Sequence, residues 1–290
     1  MTAQSAPTVR TFFHRRTFTF CHVVSDPATR RAAIIDPVLD YEPSAARTGT
    51  AFAEGIESYV RSGGLTVDWL IETHAHADHL SAASFLKQRL GGKTVIGFNI
   101  DVVQKTFKAI FNAEPSFATD GSQFDVLTKD GNELKLGTLA ITTMHTPGHT
   151  PACMTYVVGD AVFVGDTIFM PDYGTARCDF PGGNARTLYR SIRKIFALPG
   201  HYRMFMCHDY GAPGRDFAHE TTVEAERTGN IHVREGITED EFVKMREARD
   251  RTLALPDLIL PSVQINMRAG HFPPPEANGV SYIKLPLNRL

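Results

Sequence analysis

The stretch "LIETHAHADHLSAASFLKQRL", Leu70 to Leu90, places His74, His76, Asp78 and His79 within six residues, directly after an apolar run. The residues of "TVDWLIET" predict a buried strand that ends at these side chains. "LSAASFLKQRLGG" after them has helical spacing and a glycine where a helix would stop. Ordinary packing does not need four strong ligands in so short a space. In a turn after a strand, residues two apart converge, so His74 and His76 address one point while Asp78 and His79 address a neighbouring one. Imidazole and carboxylate together suit borderline divalent ions.

Three more candidates sit in comparable settings further along. His149 lies in "HTPGHT", where Pro147 and Gly148 shape a tight turn after a strand. Asp166 lies in "FVGDTIF" and His208 in "FMCHDY", each at the end of an apolar run. A lone histidine at a strand end is ordinarily packed or hydrogen-bonded. Seven strong ligands, all at strand ends, predict a metal site instead. The residues alone leave open one ion or two, and activation of water or of dioxygen.

Around this constellation the chain alternates strand and helix patterns. "FTFCHVVSD" and "RRAAIIDPVLD" read as a β-meander, and Ser44 to Ser62 as a helix closed by a glycine pair. "TVIGF" and "NELKLGTLAITTMHT" supply further strands, the latter ending at Pro147. "MTYVVGDAVFVGDTIF" reads as a hairpin with a Gly-Asp turn. "ARTLYRSIRKIFAL" is an amphipathic helix and "YRMFMCHD" a last core strand. Glu239 to Arg251 carries the i,i+4 charge pairing of an exposed helix. The alternation predicts a layered α/β protein.

With 290 residues, 42% of them hydrophobic, the chain can bury a sizeable core. Its net charge of −2 gives no electrostatic case for nucleic acid or an anionic membrane. No apolar run approaches the roughly 20 residues that cross a bilayer. Cys21, Cys153, Cys178 and Cys207 are scattered without a CxxC pair, which suits a reducing compartment. The N-terminus lacks a signal-peptide pattern. The expectation is a cytoplasmic protein with neither nucleic acid nor membrane as a partner.

"THAHADH", "TPGHT", "GDTIF" and "CHDY", in that order, resemble the metallo-β-lactamase superfamily. The resemblance implies a four-layer αββα sandwich with the metal at its edge. It also implies one domain over residues 1–290, with 235–290 as an extension packed on the sandwich. "IIDPVLDYEP", "GTARCDFPGGNARTLYRSI", "MCHDYG", "NIHVREGITEDEFVKMREARD" and "LPSVQINMRAGHFPPPEANG" are similar to the persulfide dioxygenases and their β-lactamase-like hydrolase relatives. That finer likeness implies one Fe(II) per chain on His74, His149 and Asp166. His76, Asp78, His79 and His208 then lie outside the iron's ligand set, orienting ligands and holding waters. It implies oxidation of glutathione persulfide by O2 and water to glutathione and sulfite. A homodimer and a separate sulfurtransferase (rhodanese) partner are further expectations.

On the substrate side, Arg177 matches the arginine of the family's motif, with Asp179 either orienting it or merely pairing with it. Arg215 is a weaker cation candidate that also reads as a solvated loop charge. Tyr210 is placed to hydrogen-bond a bound oxygen species, or to pack. Asp209 is placed to accept from a ligand imidazole, or to cap its loop. Cys178, beside Arg177, reads as a buried reduced thiol with a redox role as the alternative, and the other cysteines as core. Two alternatives stand beside the dioxygenase. One is a two-zinc glutathione thioester hydrolase of the glyoxalase II type, with Asp166 bridging, although the tail lacks the basic pattern expected of that enzyme. The other is a non-enzymatic persulfide sensor, against which the complete ligand set argues.

Overall fold

Strand-forming runs bounded by turn residues give β1 (Thr8–His14), β2 (Thr19–Ser25) and β3 (Arg31–Ile35). β2 and β3 are the antiparallel pair read from the sequence, and β1 adds to β2 ahead of them. The computed structural model describes residues 6–212 and 214–289, so Pro213, in the loop that carries Arg215, lies outside the described residues. Next come β4 (Val38–Glu42), β5 (Arg47–Gly49), α1 (Ala51–Ser62) and β6 (Thr66–Ile71). They are followed by β7 (Leu80–Ser81), α2 (Ala83–Leu90), β8 (Lys93–Gly97), α3 (Ile100–Phe111) and β9 (Val126–Thr128). The first sheet runs β1-β2-β3-β6-β8-β9, and β5-β4-β7 form a small side sheet.

The second half contains β10 (Glu133–Leu136), β11 (Leu139–His145), β12 (Met154–Val158) and β13 (Ala161–Phe163). Then follow α4 (Ala185–Phe196), β14 (Arg203–Phe205), β15 (Glu220–Thr222), α5 (Val223–Gly229), α6 (Glu239–Asp250) and α7 (Ile259–Asn266). The strands of this sheet stand in sequence order, with β14 parallel to β13.

Burial explains the layering. Val24, Ile35 and Ile71 of the first sheet meet Ile141, Tyr156 and Phe205 of the second in one apolar core. The outer face of the first sheet is covered by α1 and α2, through Ile56, Val60 and Leu86. The outer face of the second is covered by α4 and α6, through Leu188, Ile192 and Phe242. The result is the four-layer αββα sandwich.

Three elements differ from their sequence reading. The first helix starts at Ala51 rather than Ser44, because Arg47–Gly49 pair with β4 and the Asp40 carboxylate accepts from the Phe52 amide (2.9 Å). β14 is not the last strand, since β15 adds to it antiparallel. Helix α6 carries a capping box at Thr238 and Glu241, but Phe242, Arg246 and Asp250 are buried. That face is core, not solvated.

Candidate metal centre

All seven candidate ligands follow strand ends at one edge of the sandwich. His74, His76, Asp78 and His79 lie between β6 and β7, His149 after β11, Asp166 after β13 and His208 after β14. The ligand loop is anchored where it leaves β6. Asp36 accepts from the Thr73 amide (2.7 Å) and hydroxyl (2.9 Å), and the Met154 amide donates to the Thr73 carbonyl (2.9 Å). Two glycines permit the close approach of neighbouring loops. Gly148, at φ 141°, would put a Cβ 2.4 Å from the Leu188 backbone, and Gly165, at φ 53°, would put one 2.6 Å from Thr73 Oγ1.

Hydrogen bonds fix which nitrogen of each ring carries a lone pair. The Thr73 hydroxyl spends its proton on Asp36, so its oxygen accepts from His74 Nδ1–H (3.0 Å), leaving His74 Nε2 free. His149 Nδ1–H donates to the Arg177 carbonyl (2.8 Å) and His208 Nδ1–H to the Phe18 carbonyl (3.2 Å). His76 donates through Nε2 to Asp36 (2.9 Å), with Glu72 3.3 Å away, and its Nδ1 is left as acceptor. His74 Nε2, His76 Nδ1, His79 Nε2, His208 Nε2 and Asp166 Oδ1 are buried without a hydrogen-bond partner. A buried acceptor left unmet costs about 1–3 kcal/mol, and here the unmet acceptors converge. That donor set fits a bound cation.

The ligands fall into two groups, each with one atom per residue within 4.8 Å of the others: His74, His149 and Asp166, and His76, Asp78, His79 and His208. Asp166 faces both. Its Oδ2 lies 3.9 Å from Nε2 of His74 and of His149, and its Oδ1 3.4 Å from His208 Nε2. Burial holds His74 and His149 below the usual histidine range and His79 down to about 4, so these rings are neutral, as ligands must be. For Asp78 burial works against the charge, but His208 and His79 outweigh it and keep the carboxylate ionised. Burial also opposes charge on His76, where Asp36 and Glu72 prevail and push its pKa well up, so a cation bound at Nδ1 displaces a proton there.

A cavity of about 540 Å³ opens onto Asp78, His149 and Asp166, with Phe18, Phe169 and Tyr210 among its aromatic walls. Tyr210 stacks on His208 at 5.6 Å and 14°. Arg177 lines the cavity, donating to Asp179 (2.6 and 2.8 Å) and to the Ala254 carbonyl (2.5 Å), so Asp179 both pairs with and orients it.

Three expectations are corrected. His74 and His76 do not address one point, since His76 groups with Asp78, His79 and His208 and His74 with His149 and Asp166. Arg215 does not line the cavity, because it is spent on Asp172 (2.7 Å) and Asp209 (2.6 Å). Asp209 receives nothing from a ligand ring. Its carboxylate caps the loop by accepting from the Gly211 and Ala218 amides and from Arg215. Cys178 is buried and burial pushes its thiol well up, which leaves no thiolate.

Sequence reasoning missed Asp36, Glu72 and Asn266. Buried Asn266, on α7, donates to the His76 (2.8 Å) and His79 (2.7 Å) carbonyls and accepts from the Ser81 amide (2.8 Å). A polar residue in the apolar run "LILPSVQIN" was the available clue.

Comparison with known proteins agrees with this geometry. The chain is 56% identical to a probable metallo-hydrolase of Burkholderia pseudomallei, over 98% of this chain and all of that one. It is 49% identical to glyoxylase B2 of Dictyostelium discoideum, over 92% of each. It is 32% identical to the human mitochondrial persulfide dioxygenase ETHE1, over 90% of this chain and 88% of that one. The crystal structure of ETHE1 from Myxococcus xanthus superposes with a TM-score of 0.72 at 30% identity, over 91% of this chain and all of that one. Among the described residues no helix is long and apolar enough to cross a membrane. The family pattern of the metallo-beta-lactamase superfamily matches residues 14–208, and the chain belongs to that superfamily, with a metal-binding His/Asp site at the sandwich edge.

Proposed function

We propose that the protein is a non-haem Fe(II) dioxygenase that oxidises glutathione persulfide to sulfite and glutathione. The observation that carries this reading is the placement of a two-histidine, one-carboxylate set, His74, His149 and Asp166, of which His149 and Asp166 face the cavity. Such a set suits ferrous iron, which when bound supplies redox chemistry and open positions for a sulfur anion and dioxygen. The likeness to persulfide dioxygenase ETHE1 supports the same choice. Thr73 and the Arg177 carbonyl hold the two imidazoles with Nε2 forward. Asp78 and Asp166 both approach His208 Nε2 (3.3 and 3.4 Å), a cluster suited to orienting water, and Phe18, Phe169 and Tyr210 give the cavity an aromatic wall. Tyr210 lines the cavity and stacks on His208, which places a phenol hydroxyl at the cavity wall beside the ligands.

One observation favours the two-zinc hydrolase as a second reading: Asp166 presents one oxygen to each ligand group, the arrangement of a bridging carboxylate. Glyoxylase B2 among the relatives points the same way. Metal analysis of protein purified without added metal, together with oxygen uptake on glutathione persulfide, separates the two. One iron per chain with uptake supports the dioxygenase. Two zincs, thioester cleavage and no uptake replace it with the hydrolase. His149→Ala is expected to lose both iron and uptake, and full uptake by that variant places the centre elsewhere.

A further inference from the structure

One wall of the cavity is built by the end of α6 and the segment that follows it, outside residues 14–208 that match the superfamily pattern. Arg246 and Arg249 stand three residues apart on α6, and both line the cavity. Arg246 is 1% exposed. Its Nε donates to Asp250 (2.8 Å) and its Nη1 to the Thr175 carbonyl (2.9 Å). Its Nη2, 2.6 Å from the same Asp250 oxygen but out of line with it, is buried without a hydrogen-bond partner. Asp250 in turn accepts from the Cys178 amide (2.9 Å). The helix is thus clasped to the strip whose Arg177 carbonyl orients His149.

The other cavity arginines are already neutralised, Arg16 by Glu42, Arg177 by Asp179 and Arg246 by Asp250. Arg249 has no ion pair and no hydrogen bond to its guanidinium among the described residues, and Asp257 is the acid nearest in sequence on the same wall. A single unpaired guanidinium matches a singly charged, planar, two-oxygen anion better than a phosphate dianion. We propose that Arg249, on the face of α6 that Arg246 and Asp250 clasp in place, forms a carboxylate-binding subsite that holds the terminal carboxylate of a peptide-sized thiol derivative. It rests on the functional reading above, and a cavity of about 540 Å³ accommodates such a ligand.

The test is calorimetry on the metal-loaded full chain with S-methylglutathione, an unreactive thioether that keeps both carboxylates, and with its diethyl ester, in which they are masked. Wild type should prefer the free acid. Arg249→Ala should reduce that preference roughly 10- to 100-fold, and Arg249→Lys should restore part of it. In turnover with glutathione persulfide, the loss in Arg249→Ala should fall on KM rather than kcat. Equal binding of acid and ester by wild type, or an unchanged preference in Arg249→Ala, overturns the subsite. Because binding is read without turnover, a chain that prefers the free acid through Arg249 yet takes up no oxygen would sink the dioxygenase reading and leave the subsite standing.

Discussion

Asp250→Ala removes the only carboxylate that, among the described residues, contacts the Arg246 guanidinium, which is 1% exposed. Breaking a buried ion pair from one side leaves an uncompensated charge, which costs about 3–5 kcal/mol. For a domain of this size each kcal/mol lowers Tm by roughly 2–4 °C, so the variant should melt on the order of 10 °C below wild type. Arg246→Met should cost a similar amount, since it strands Asp250. The double variant, Arg246→Met with Asp250→Ala, strands no charge and should be no worse than either single change. A urea-unfolding cycle on metal-free protein should therefore return a coupling of about 3–5 kcal/mol. Working without metal avoids confusing stability with ligand binding. Additive losses in the cycle would falsify the view that the pair acts as a closed unit. With iron present, both singles should also hold metal less well, because Thr175 and Cys178 flank the residue whose carbonyl orients His149.

Asn266→Ala frees the His76 and His79 carbonyls and the Ser81 amide. Metal affinity should fall roughly 10- to 100-fold, read by competition with a chelator, and unchanged affinity would remove Asn266 from the centre. Glu226 is buried, with Oε2 accepting from Asn230 (2.8 Å) and Oε1 without a partner, and burial raises its pKa to about 8. The folded chain therefore keeps this proton while the unfolded chain releases it above about 4.5, so stability should fall by a few kcal/mol as pH rises from 4.5 to 8 and level off beyond. Glu226→Gln should flatten that slope in melting curves between pH 5 and 8, and identical slopes would contradict the assignment.

The ligand set was legible because metal chemistry admits few side chains and strand ends concentrate them. Asp36 and Glu72 were within reach too, as acids closing the apolar runs "AAIID" and "WLIE". Ile100, Val103, Phe107 and Phe111 recur at helical intervals and mark α3, which a reading centred on the ligands passes over. Arg246 was harder. An i,i+4 Arg–Asp pair has the same sequence whether it faces water or the core, and only the apolar Phe242 one turn earlier separates the cases. The pairing of Asp209 with Arg215 follows from the course of a loop that local spacing does not specify.

Asn266 ties the backbone of His76 across a separation of 190 residues. During synthesis from the N-terminus, the four clustered ligands leave the ribosome long before the amide that steadies them. Both sheets are complete by Thr222, so the sandwich can form while its edge is still unbraced. Metal capture should then follow release of the chain, and a nascent protein stalled before Ile259 should take up metal only weakly from a buffered pool.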